Sequence, residues 1–139
     1  MAFSYSPFFP QALHSGVLQL VAANTTNTVN VIVSSTNGTK IESIIATSND
    51  TIDHALTISM NIGGVNYLMA NVNIPANSGS IVGTPPVNVL GNVAFSGLPS
   101  DPAGNRYIYV ANNGSITVSS NSAISSNKVV NVIIQAADF

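Results

Sequence analysis

The chain has 139 residues and a mass of 14.3 kDa, the size of a single domain. Only 6% of its residues are charged, where ordinary soluble domains carry about 25%, yet 45% are hydrophobic. Three cations and a net charge of −2 build no basic stripe, which excludes nucleic acid and anionic membrane surfaces as partners.

Residues 1–15 read as an N-terminal arm. Phe3, Tyr5, Phe8 and Phe9 crowd four aromatics into nine residues of a chain that is 6% aromatic, and Pro7 and Pro10 keep the stretch extended. Aromatic side chains bring large contact area per residue, so these four either fold onto the chain's own sandwich or are the candidate interface residues, facing a sister subunit or another protein. The stretch lacks the cationic start and unbroken apolar run of a signal peptide. No segment approaches the ~18 apolar residues of a membrane span, so the protein is expected to stay in the cytosol or to be assembled there.

From residue 16 to 139 the chain reads as one antiparallel β-sandwich of jelly-roll or other Greek-key type, with about eight strands. Gly16–Val21 alternates into a first strand, and Thr28–Val33 places Val29, Val31 and Val33 on one face. Lys40–Thr47 follows the hairpin signal Asn37-Gly38. Leu56, Ile58, Met60 and Ile62 alternate with polar residues at period 2. Gly63-Gly64 turns the chain into Val65–Ile74, where Tyr67 and Met69 pair back. A brief strand is expected at Ser80–Val82. Residues 82–105, with four prolines, exceed the usual length of a structureless connection, so they read as a folded excursion that contacts a partner. Inside it Val87–Phe95 is either one or two helical turns or a loop with a short strand. Arg106–Ala111, Ser115–Ser119 after a second hairpin signal at Asn113-Gly114, and Val129–Ala136 complete the set.

Chemistry has a small inventory: five carboxylates, two histidines and no cysteine. Asp50, Asp53 and His54 stand together and would suit a divalent cation if they converged. They read instead as a polar loop entering a strand, with Asp capping its own amides. No cofactor or metal is expected. His14 and Ser15 are adjacent on a strand and point to opposite faces, so they make no base–nucleophile pair. Nothing singles out Asp50, Asp53 or Asp101 as a glycosidase pair, and no G-x-S-x-G elbow is present. No catalytic residue is assigned, and the chain reads as non-enzymatic. Tyr107 and Tyr109, at i and i+2 on one strand face, form either a stacking platform for sugar or a packing pair.

The order of segments resembles a known family. After the aromatic, proline-bearing start come K-I-E-S-I-I-A-T-S-N-D-T at 40–51, G-V-N-Y-L-M-A-N-V-N-I-P-A-N-S-G at 64–79 and P-V-N-V-L at 86–90. G-L-P-S-D-P-A-G-N-R at 97–106 and V-N-V-I-I-Q-A-A-D-F at the C-terminus follow. The pattern resembles small virion proteins of tailed bacteriophages of the head decoration or cement type. That resemblance implies a β-sandwich made in the host cytoplasm and carried on the capsid exterior. There it contacts the major capsid protein or other virion proteins and forms a homo-oligomer, often a trimer. A neck, tail or fibre component and a carbohydrate-binding module are the alternatives. The scarcity of charge fits a role in assembly, because strand edges are normally guarded by charges and here only Lys40, Arg106 and Lys128 carry positive ones.

Overall fold

The computed structural model describes residues 10–139, so Phe3, Tyr5, Phe8 and Phe9 lie outside the described residues. Among the described residues nine strands follow in chain order: Ala12–Leu20 (β1), Val29–Val33 (β2), Thr39–Ser48 (β3), His54–Ile62 (β4), Val65–Ile74 (β5), Val87–Asn88 (β6), Ile108–Val110 (β7), Ser115–Ser120 (β8) and Val130–Asp138 (β9). They form the antiparallel sandwich that the strand spacing predicts. One sheet runs β1-β9-β3, with β6 and β7 sharing the far side of β3; the other runs β2-β8-β4-β5.

Alternation places the core. Ile44 and Ala46 of β3, Leu56 and Ile58 of β4, Ile116 and Val118 of β8, and Val132 and Ile134 of β9 are fully buried between the sheets. Each such valine, leucine or isoleucine side chain contributes about 1.5–3 kcal/mol by leaving water. The first strand begins at Ala12 and not at Gly16, because Ala12–Ser15 find partners in β9 from Asp138 to Gln135. These residues belong to the sandwich and not to the arm. At Gly16 the two sheets close on one another, and an added Cβ would lie 2.7 Å from Ile32 Cβ and 2.8 Å from the Val31 carbonyl oxygen. No larger residue fits there.

Three expectations from local pattern are corrected. On β2 the pairing shifts between Asn30 and Ile32, a bulge that opposes two residues to one. Val31 and Ile32 are therefore both buried, while Val33 turns outward. Neither Asn-Gly dipeptide makes a hairpin, since β2 and β3 lie in different sheets, as do β7 and β8. A type I′ turn needs positive φ at both central residues; here Gly38 has it without Asn37, and Asn113 without Gly114. Gly63-Gly64 has φ of 61° and 84° and does join the hairpin β4–β5. Within that hairpin Tyr67 pairs with Met60, and Met69 is the extra residue of a bulge. Finally, Ser80–Val82 forms no strand. Only an isolated bridge from Ile81 to Thr84 appears, and Ile81 and Val82 point into solvent.

The excursion is folded, as its length required. Of the two alternatives for Val87–Phe95, the loop with a short strand is the one found: strand β6, then one 3-10 turn at Val93–Phe95. Val89, Leu90 and Phe95 insert into the core. Arg106 donates from Nη1 to the carbonyl oxygens of Leu90 (3.0 Å) and Asn92 (2.6 Å), tying the excursion to the start of β7.

Candidate functional site

The strongest cluster in the sequence, Asp50, Asp53 and His54, is divided by the fold. Asp53 accepts from the Ala76 amide at 2.8 Å and does not join the other two. Asp50 and His54 meet with no solvent exposure, Nε2 of the imidazole lying 2.8 Å from Asp50 Oδ2. An ionised carboxylate only accepts, so Nε2 is the donor. Asp50 also accepts from the Thr51 amide at 2.7 Å and the Ser125 amide at 2.9 Å. Burial by itself would raise the Asp50 carboxyl, but the Ser125 amide, the His54 imidazole and the Thr51 amide outweigh it and hold the group far below the carboxylate range. Self-capping of Thr51 is the loop role expected of this aspartate. Its burial and its bond to the 121–129 segment have no local signal, because Ser125 lies 75 residues away.

On the other side of the ring, Nδ1 sits 3.2 Å from Ser122 Oγ and 3.4 Å from Ser120 Oγ. Carboxylate, imidazole and hydroxyl thus stand in the order of an acyl-transfer triad. The surroundings are those of a clasp. Asp50, His54 and Ser120 are enclosed, and Ser120 spends its proton on the Ser122 carbonyl at 2.7 Å. The cluster pins the 50–54 turn to the loop after β8.

The other histidine confirms the strand geometry expected of it. His14 faces Asp138 at 2.8 Å, while Ser15 points outward on the opposite face. Tyr107 and Tyr109 meet edge to face, centroids 5.1 Å apart and planes at 68°, so they form no flat platform. Tyr109 extends the contact to Phe139 at 5.9 Å.

Two surface features have no counterpart among the sequence motifs. The first is the outer face of the β1-β9-β3 sheet. Register sets Val17 beside Ile133 and Ile133 beside Ile45, a continuous apolar row across three strands. Val17 is 71% exposed, and Leu13 on the same face of β1 is 95% exposed. The rows on either side are Ser15–Gln135–Ser43 and Gln19–Asn131–Thr47, uncharged throughout. The opposite sheet presents a different outer face, where Thr57 bonds Asn71 at 2.6 Å and Asn61 bonds Asn66 at 2.8 Å. Leu68, 64% exposed, stands between those two pairs opposite Ser59, an isolated apolar side chain and not a row across three strands.

The second feature is a cleft of about 460 Å³ between β3, β6 and the 101–107 loop. Lys40, Glu42, Asp101 and Arg106 line it, half of the eight charged side chains in the chain. Lys40 Nζ lies 4.7 Å above the Tyr107 ring and 3.7 Å from Glu42 Oε1. The Asn105 amide, helped by the Lys40 charge and opposed by partial burial, holds the Asp101 carboxyl below its ordinary range. The chain matches no protein-family model and no curated protein sequence.

Proposed function

We propose that the protein is a non-enzymatic structural component that works by protein–protein contact, as a virion decoration or cement protein does. The apolar row Val17–Ile133–Ile45 carries this reading. A row of three exposed aliphatic side chains, flanked by hydroxyls and amides and free of charge, is costly to leave in water and cheap to cover with protein. Covering it desolvates no ion, so contacts on this face depend little on salt. The four aromatics at 3–9 immediately precede β1, whose outward side chains form one end of that face, and they supply further anchors in the same assembly.

Light scattering at micromolar concentration tests the reading. The wild-type protein should read a multiple of 14.3 kDa, threefold being the state that the resemblance implies. Val17→Asp and Ile133→Asp, both on the solvent face, should return it to a monomer with unchanged circular dichroism. Deleting residues 1–9 should leave the β-rich spectrum and weaken assembly. A wild-type monomer that also fails to bind purified phage shells would overturn the proposal.

A further inference from the structure

The cleft beside β3 adjoins the assembly face at Ser43 and points to a ligand of its own. Its volume of about 460 Å³ falls within the range of small-molecule sites, about 300–1,000 Å³. Its wall is unusual for this chain. Lys40 and Arg106 offer only donors, Glu42 and Asp101 only acceptors, and the carboxamides of Asn88 and Asn105 offer both. Arg106 is held in place through Nη1 alone, which leaves the rest of its guanidinium edge without a partner among the described residues. The Tyr107 ring, under the Lys40 ammonium, adds an aromatic surface to the same wall.

Charge selects the ligand class. An anion entering the cleft meets Glu42 and Asp101, and a cation meets Lys40 and Arg106. An apolar molecule would strip water from four charged groups with nothing returned. A hydroxyl both donates and accepts, so a neutral polyhydroxyl compound answers every part of this wall without bringing a charge of its own. We propose that the cleft binds a neutral carbohydrate through Lys40, Glu42, Asp101 and Arg106, with Tyr107 against the sugar ring. This goes beyond the assembly reading and does not rest on it.

The test is titration of the full chain with a panel of neutral mono- and disaccharides, followed by amide chemical shifts, beside an immobilised glycan array. Saturable shifts centred on Lys40, Glu42 and Tyr107, weakened at least tenfold by Glu42→Ala and by Lys40→Ala, are expected. Glu42 is exposed and is the extra residue of a β3 bulge, so its removal leaves the ladder intact, and Glu42→Gln serves as a second variant. Val17→Asp should leave sugar binding unchanged, which separates this proposal from the assembly one. Array binding without free-sugar binding identifies a longer glycan as the source, and both results support the site. No saturable response to any sugar at millimolar concentration overturns it. Binding lost in Tyr109→Ala but retained in Glu42→Ala overturns it too, since Tyr109 borders a separate pocket with Phe139.

Discussion

Both histidines of this chain face an aspartate at 2.8 Å, and the two pairs differ most in burial. His54 and Asp50 have no exposed side-chain surface; His14 and Asp138 are 29% and 23% exposed. The enclosed carboxylate is bonded to two backbone amides and an imidazole and has no access to water. The outer one bonds the Thr39 hydroxyl at 2.7 Å and His14 and keeps contact with water. A lost partner is replaced by solvent at the outer site and by nothing at the inner site. The same chemistry is therefore a structural clasp in one place and a modest edge contact in the other.

The sharpest way to break that contrast is Asp50→Ala. It leaves the His54 ring and two amides without acceptors and should cost about 3–5 kcal/mol in urea unfolding. A loss below about 1 kcal/mol would place the inner pair with ordinary surface contacts. His54→Ala should follow at about 2–4 kcal/mol, from a cavity plus a buried carboxylate that has lost one partner. In a double-mutant cycle the 50–54 coupling should exceed the 14–138 coupling.

Acid titration separates the pairs next. At Asp138 burial pushes the carboxyl up, but the Thr39 hydroxyl and His14 bring it below the ordinary range, the same net direction as at Asp50. A carboxyl depressed in the folded state leaves the unfolded chain binding more protons below about pH 4. Both contributions are thus present above about pH 4 and are lost as the pH falls toward the folded values. Urea midpoints should be flat in this respect above about pH 5 and fall below about pH 4. Asp50→Asn should flatten most of that acid limb, and Asp138→Asn a smaller part. Superimposable acid limbs for wild type and Asp50→Asn would remove Asp50 from the account. The smallest effect belongs to Asp138→Ala at neutral pH, about 1 kcal/mol or less, because water takes over the freed groups.

The clasp is half legible in the sequence. N-D-T-I-D-H sets Asp50 and His54 close together, and a capping role for the aspartate follows from its type. Its other partners are serines at 120, 122 and 125, and serine is too common in this chain to stand out. The Lys40–Arg106 cleft was hidden for a related reason. Lys40 and Glu42 lie on β3, Asp101 and Arg106 some sixty residues on, and no spacing rule connects them. The Asn-Gly dipeptides misled in the opposite direction. They are strong hairpin signals, yet the strands around each one pair with distant segments, and those pairings decided the turn geometry.

The amino-acid sequence by itself determined that the chain is built of strands, where most of them run, and which side chains point inward. Period-2 alternation is a local property of the extended backbone, so it survives reading without coordinates. It also limited the chemistry, since missing thiols and cations cannot be supplied by folding. Tertiary structure alone decided which sheet each strand joins, where a bulge at Val31 reverses a face, and which aspartate is buried. Those outcomes depend on hydrogen bonds and exclusion of water between segments far apart in the chain. Neither quantity is a property of any short stretch of residues.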